Sequence, residues 1–279
     1  MEKLDLKKTK TVNPLEFENR KNINETYLFQ KSKFKFVNDH FGFRNSKMHI
    51  ILGTTGSGKT TLLMSLIDEM LVEKKKILFY SCEETVEDFE TKFGYSNAQF
   101  DEKLLMIFHE NKMLSLLNND TLNINEFEKQ LGLAILQNKP DVFIFDNITT
   151  SAFYDQNKLA SETAKRIKKL CDNSGIPFIV IAHTASSVKE GQFFDSSCIR
   201  GFRSITNTAQ YVYCYMRLRE EFMGRTTIVN CIYTDKSRGH SDASRACYKL
   251  SFDAQKKIFT SDQQIEYASF KKYFKASQK

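Results

Sequence analysis

No stretch of the 279-residue sequence approaches the ~18 consecutive apolar residues that a membrane-spanning helix requires. The N-terminal run Met1-Glu2-Lys3-Leu4-Asp5-Leu6-Lys7-Lys8 also lacks the hydrophobic core of a signal peptide. These absences predict a chain with no membrane partner. Zinc chemistry finds no support either. Cys82, Cys171, Cys198, Cys214, Cys231 and Cys247 include no C-x-x-C pair and no histidine cluster at zinc spacing. Scattered mostly through apolar stretches, they read as reduced core thiols of an intracellular protein. Only three prolines occur, against abundant Lys, Asn and Phe, a balance that reflects AT-rich codon usage rather than function. The net charge of +7 is too mild to demand a polyanionic partner, although it permits one.

What is present is enough apolar residue, 41%, for a full core, most simply as one large domain with short extensions. Within it, Gly53-Thr54-Thr55-Gly56-Ser57-Gly58-Lys59-Thr60 matches the phosphate-binding pattern G-x-x-x-x-G-K-[ST] without mismatch. The glycines let the backbone curl so that successive N–H groups point at phosphate oxygens. Lys59 brings a cation to the β- and γ-phosphates, and the Thr60 hydroxyl is placed to ligate Mg²⁺. Met48-His49-Ile50-Ile51-Leu52 ahead of the loop reads as a buried strand. Leu62, Leu63, Leu66, Ile67 and Met70 behind it recur at helical spacing. Strand, glycine loop and helix N-terminus together make a pyrophosphate site. The expected nucleotide-binding set is Gly53, Thr54, Thr55, Gly56, Ser57, Gly58, Lys59, Thr60 and Thr61, with ATP and Mg²⁺ as ligands.

Residues 1–45 are polar and read as an N-terminal arm or linker. The arm carries one short helix around Pro14–Lys21, followed by an approach segment with Phe34, Phe36, Phe41 and Phe43. An aromatic patch on a polar arm is costly to expose, so packing against a neighbouring subunit is expected. From about residue 46, strands and helices alternate, which argues a parallel α/β sheet. Ile77–Tyr80 is a strand ending at Ser81-Cys82-Glu83-Glu84, and a helix follows from Val86 to Phe93. Leu104–Phe108 fits strand or helix, and Asn125 is a plausible N-cap for a helix reaching Gln137. Asp141–Asp146 is a buried strand, a helix spans about Lys158–Cys171, and Pro177–His183 is the next strand. The polar loop from Thr184 to about Thr206 is long enough to be functional or mobile. Beyond it, Tyr211–Met216, Thr226–Tyr233 and Ala246–Phe252 lack intervening helices and suggest an antiparallel extension.

A phosphate loop needs a second carboxylate on a neighbouring strand to hold Mg²⁺, and Asp146 fits. Strand C-termini of a parallel sheet line the ligand crevice. Glu83 and Glu84 therefore stand where a general base would activate water at the γ-phosphate, with Glu83 preferred; the alternative is a pair of solvated turn charges. His183 ends another strand at the same crevice and could sense the phosphate and move the following loop, although a lone histidine is often structural.

In order, the phosphate loop, Ser81–Asp88, Phe143–Asp146 and Ile181–His183 resemble the RecA-like core of ring-shaped replicative helicases. The likeness is to the helicase domain of phage primase-helicases and to the DnaB type. Asp195–Gly201 resembles the segment after that family's DNA-binding loop, Lys236-Ser237-Arg238-Gly239 its late basic element, and Ser251–Asp253 with Ile258-Phe259 its closing hairpin. Phe202 and Gln210 depart from the pattern. The resemblance spans about residues 46–262 as a RecA-like ATPase domain, leaving 263–279 as a C-terminal tail. It implies a RecA-like P-loop NTPase with a mainly parallel central sheet flanked by helices and an antiparallel C-terminal extension. It further implies a homo-oligomer, a hexameric ring, in which Arg238, assisted by Lys236, reaches the neighbour's nucleotide. Single-stranded DNA would meet the Thr184–Thr206 loop through Lys189, with Arg200 and Arg203 as weaker contacts. The setting implied is replication in the cytoplasm of a bacterial or virus-infected host cell. A separate helicase loader or primase is expected, since no primase or zinc-binding segment precedes the core.

Three alternatives share this core: a recombination ATPase, a KaiC-like regulatory ATPase and a viral packaging motor. The eukaryote-type recombinases carry a Phe-x-x-Ala element ahead of the core. This sequence has no alanine before Ala98, which argues against that mode of assembly.

Overall fold

The strands of the expected α/β unit are nearly continuous apolar runs because both of their faces are covered. In the computed structural model, β1 (Met48–Gly53), β2 (Ile77–Ser81), β4 (Val142–Asp146) and β5 (Phe178–His183) are buried at every position. The structure describes residues 27–40, 42–93, 101, 103–116, 123–155, 160–201, 203–223, 225–238 and 245–276. The expected helix at 14–21, Phe41, Phe202 and Gly239 lie outside them. Where Leu104–Phe108 fits strand or helix by sequence, the structure has a strand, β3 (Leu105–His109). With β6 (Tyr211–Phe222), β7 (Arg225–Ser237), β8 (Cys247–Asp253) and β9 (Ile258–Ile265) it completes one sheet of order β3-β2-β4-β5-β1-β6-β7-β8-β9. Pairing is parallel from β3 to β6 and antiparallel beyond, as the sequence predicts.

Alternation along each strand sends successive side chains to opposite faces. Ile50, Leu52, Phe143, Phe145, Val180 and Val212 enter one apolar cluster, and Ile51, Ile144, Ile179, Ile181 and Tyr213 enter the other. The short α1 (Lys35–Asn38), α2 (Lys59–Val72) and α3 (Val86–Phe93) cover the second face. The first face receives α4 (Glu110–Leu116), α5 (Ile124–Asn138), the short α6 (Ala152–Asp155), α7 (Ala160–Ser174) and, after the short α8 (Ser204–Thr208), the C-terminal α9 (Tyr267–Ala276). The cap of α5 is Asn123 rather than Asn125, its Oδ1 accepting from the N–H groups of Asn125 and Glu126 at 3.0 and 3.3 Å. All six cysteines are free thiols, four of them buried. Among the described residues no helix is long and apolar enough to cross a membrane.

Two segments differ from expectation. Residues 27–40 and 42–45 are a strap on the chain's own core, not an arm. Phe34, Phe36, Val37 and Phe43 are fully buried in the second cluster, with Phe36 edge-on to Tyr213 at 5.6 Å. Carboxylates hold the strap down. Glu69 accepts from the Ser32 hydroxyl at 2.9 Å and the Lys33 N–H at 2.6 Å, and Asp262 accepts from the N–H groups of Lys35 and Phe36 at the start of α1. The physical reason is that Tyr213 of β6 and Tyr248 of β8 present aromatic rings on this face, and Phe36 packs against both. At the other end, the expected tail from 263 continues β9 and then forms α9, whose Phe270 is buried and stacks on Tyr233 at 5.9 Å.

The long polar loop after β5 is anchored as well. Thr184 bridges Ile199, Phe194 and Ile199 are buried, and the Ser196 N–H reaches Asp235 at 3.1 Å. On the far side of β1, β6 runs on to Phe222, overhanging the Gly53 edge by ~20 Å at ~3.3 Å per residue. It pairs with β7 along that whole length.

Candidate functional site

Register assembles the site. Gly53 pairs with His183 and Ser81 with Asp146, so the ends of β1, β5, β2 and β4 stand at one edge of the sheet. The phosphate loop leaves β1 there and enters α2 through Gly58, whose φ of 99° lies in the left-handed region open to glycine. A Cβ at Gly53 would sit 3.0 Å from both the Lys59 side chain and the Tyr215 carbonyl, so only glycine lets Lys59 fold back over the strand end. At Gly56 an added Cβ meets nothing within 4 Å, which leaves the cradle open on its outer side. The loop is closed internally by the Ser57 hydroxyl and the Lys59 ammonium, both donating to the Thr54 carbonyl at 2.7 Å. Thr60 and Thr61 follow in the first turn of α2, where the Thr61 carbonyl accepts from the Ser65 hydroxyl at 2.8 Å.

Burial lowers the Lys59 pKa to about 8, while Asp146 and then Glu83 act in the opposite direction. The lysine is thus a desolvated cation facing both predicted carboxylates. His183 is pushed down to about 4, first by burial and then by Lys59, with Glu83 opposing, so its ring is neutral near pH 7. Its Nδ1 lies 3.4 Å from the Thr55 hydroxyl and its Nε2 3.4 Å from the Asn147 amide nitrogen. Asn147 Oδ1 accepts from the Thr150 N–H at 3.0 Å, which turns the amide nitrogen toward His183 and makes Nε2 the acceptor. The proton therefore sits on Nδ1, facing the phosphate loop.

Glu83 and Glu84 separate here. Glu83 is exposed and acts electrostatically on Lys59 and His183. Glu84 is half-buried, its backbone pinned by the Ser81 hydroxyl, which donates to its carbonyl at 2.6 Å and accepts from its N–H at 3.0 Å. For Mg²⁺, the Thr60 hydroxyl and the Asp146 carboxylate supply hard oxygen donors of the kind that ion takes beside phosphates. Among the described residues no group of three or more His, Cys, Asp or Glu side chains makes a metal cage.

The remaining predicted residues fall into two places. Arg200 is exposed beside the site, its N–H donating to the His183 carbonyl at 2.8 Å, and Lys189 is exposed farther along the same loop. Arg203, also exposed, precedes α8. Lys236 and Arg238 lie at the opposite edge of the sheet. The Arg238 N–H donates to the Gln210 carbonyl, and Gln210 in turn pairs with Met48 at the start of β1. Lys236 donates to the Thr206 and Asn207 carbonyls at 2.7 and 3.1 Å, and Arg238 to Asn207 at 3.4 Å. Burial, followed by the neighbouring Arg238, lowers the Lys236 pKa to about 8.

Residues 40–187 match the family model described as an AAA domain. The chain belongs to that family. The match begins inside the strap, ahead of the boundary expected at residue 46. Among solved structures, the KaiC-like protein of the hyperthermophilic archaeon Pyrococcus horikoshii OT3 matches this AAA domain protein with a TM-score of 0.62. The alignment covers 82% of this chain and 96% of that one at 15% identity, a likeness of fold. No curated protein matches the sequence. The fold is RecA-like, and the chain is a P-loop ATPase of that broad type.

Sequence reasoning missed Asn147, fully buried between Asp146 and His183, and Glu110 at the end of β3. The second was within reach. A carboxylate just past a strand C-terminus is the pattern shared by Asp146 and Glu83, and Glu110 fits it only once Leu105–His109 is a strand rather than a helix.

Proposed function

We propose that this AAA family member is an ATP-hydrolysing motor that assembles as a homo-oligomeric ring of six, moves along single-stranded DNA and separates duplexes. The observation that carries the reading is the placement of Arg238. It belongs to the edge of the sheet opposite the phosphate loop, roughly 20 Å away along the strands, beyond the reach of its own nucleotide. A cation there completes a site only on a neighbouring subunit, as an arginine finger supplied in trans does. Lys236, bonded to the end of α8, supports that surface.

In this reading the loop Gly53–Thr61 binds ATP, with Lys59 moving from the Thr54 carbonyl to the β- and γ-phosphates. Thr60 and Asp146 would hold Mg²⁺, which when bound would offset charge on the phosphates. Glu83 accepts the proton of the attacking water. Neutral His183 offers its Nδ1 proton toward the phosphate loop and carries Arg200 on its own carbonyl. A shift of the histidine is therefore transmitted to the loop bearing Lys189, where the DNA backbone is met. A loader or primase would act as a separate partner.

The fold shared with a KaiC-like protein favours a second reading, a regulatory ATPase that binds protein partners and needs no DNA. Steady-state ATP turnover with and without single-stranded DNA, alongside unwinding of a forked duplex, decides between them. Stimulated turnover with strand separation is expected. DNA-independent turnover without unwinding would leave the regulatory ATPase.

A further inference from the structure

Glu110 is a carboxylate buried to 6% exposure beside the site, and its hydrogen bonds among the described residues are all with donors. Its Oε1 accepts from the Tyr80 hydroxyl at 3.2 Å, the Cys82 thiol at 3.6 Å and the Ser151 hydroxyl at 2.5 Å, and its Oε2 accepts from the Ala152 N–H at 3.1 Å. Burial, and then the charge of Glu110 itself, keeps the Tyr80 hydroxyl and the Cys82 thiol protonated, and so available as donors. An ionised carboxylate is an acceptor only, which suits a pocket that presents donors from several directions.

The donors come from two turns that matter to hydrolysis. Cys82 directly precedes Glu83, and its N–H is also bonded to the Asp146 carbonyl at 2.8 Å. Ser151 and Ala152 end the turn that starts at Asp146. That turn is braced by Asn147, whose Oδ1 accepts from the Thr149 hydroxyl at 2.8 Å, and by the Thr149 hydroxyl, which accepts from the His183 N–H at 3.0 Å. A continuous polar path therefore runs from Thr55 through His183, Asn147 and the turn to Ser151, Glu110 and the base-bearing turn. From this geometry we infer that Glu110 is a positioning residue for ATP hydrolysis: it clamps the turn carrying Glu83 to the turn that follows Asp146, and so fixes where the general base stands. The inference rests on the reading of Glu83 as that base.

The partners of Glu110 lie in β2 and the two turns rather than in the phosphate loop, so its removal acts on turnover rather than on binding. Glu110→Gln keeps the shape but sets an amide NH₂ among donors. In the full-length chain, kcat and KM for ATP, affinity for a fluorescent ATP analogue and the thermal midpoint are measured for Glu110→Gln, Glu83→Gln and the double variant. A base displaced by about an ångström costs ~10²-fold in rate, so a fall in kcat of ~10-fold or more is expected for Glu110→Gln. KM and analogue affinity should stay within ~3-fold, because the phosphate contacts remain. The double variant should be no slower than Glu83→Gln alone, since the clamp has no base left to place. Glu110→Asp, which restores the acceptor charge, should recover part of kcat. Wild-type kcat in Glu110→Gln, or an equal drop in both backgrounds, would overturn the positioning role while leaving the base assignment intact. Undiminished turnover in Glu83→Gln would overturn the base assignment, and the clamp with it. Should Glu110→Gln fail to fold, Ser151→Ala removes one donor and enters the same comparison.

Discussion

At the scale of single residues, two adjacent glutamates acquire different fates from one turn. The Ser81 hydroxyl fixes the Glu84 backbone, while Glu83 is left facing Lys59 and His183. Glu83→Gln should therefore retain ATP affinity and lose turnover by ~10²-fold or more, because only proton abstraction is removed. Glu84→Gln should retain most of the rate. Lys59→Ala should lose both binding and turnover, because it deletes the charge facing the phosphates. Equilibrium binding of a fluorescent ATP analogue, set beside steady-state turnover, separates the three. A larger rate loss in Glu84→Gln than in Glu83→Gln would reverse the assignment.

Among the elements, the strap over residues 27–40 and 42–45 departs furthest from its sequence. Its polar residues suggest an arm, yet its aromatic side chains fill the second face of the sheet. A fully buried phenylalanine truncated to alanine costs ~3–5 kcal/mol through lost transfer energy and the cavity left behind. Phe36→Ala should accordingly lower the unfolding free energy by about 3 kcal/mol in urea denaturation, with little change in the KM for ATP. An intermolecular role, as the sequence suggested, would instead alter sedimentation and leave the urea midpoint of the monomer in place.

For the whole molecule the decisive fact is that the phosphate loop and Arg238 occupy opposite edges of one sheet. Arg238→Ala subunits should bind ATP normally and hydrolyse it poorly, by ~10³-fold or more if the arginine acts in trans. Mixing them with Lys59→Ala subunits should restore activity, because an interface that pairs intact Lys59 with intact Arg238 holds a complete site. The readout is ATPase rate against mixing ratio under conditions of subunit exchange. A curve that never rises above the separate variants, despite proven mixed oligomers, would remove the trans role and the main mechanistic support for a ring motor.

The sequence by itself determined the phosphate-loop motif and the change from parallel to antiparallel strands. The glycine pattern of 53–60 demands one backbone path, and apolar runs ending in Glu83, Asp146 and His183 put reactive groups at strand ends by the geometry of a parallel sheet. It determined far less where a contact depends on distant chain. The strap has no periodicity of its own, and its aromatic residues acquire meaning only against Tyr213 and Tyr248, more than 160 residues away in sequence. Glu110 likewise resembles an ordinary helix-start carboxylate until β3 is aligned beside β2 and the turn after β4 closes over it. Local propensity fixes a strand or a loop because neighbours in sequence compete for the same backbone. The polar path from Thr55 to Glu110 was decided only by tertiary structure, since buried donors and acceptors find partners by position in space, whatever their separation along the chain.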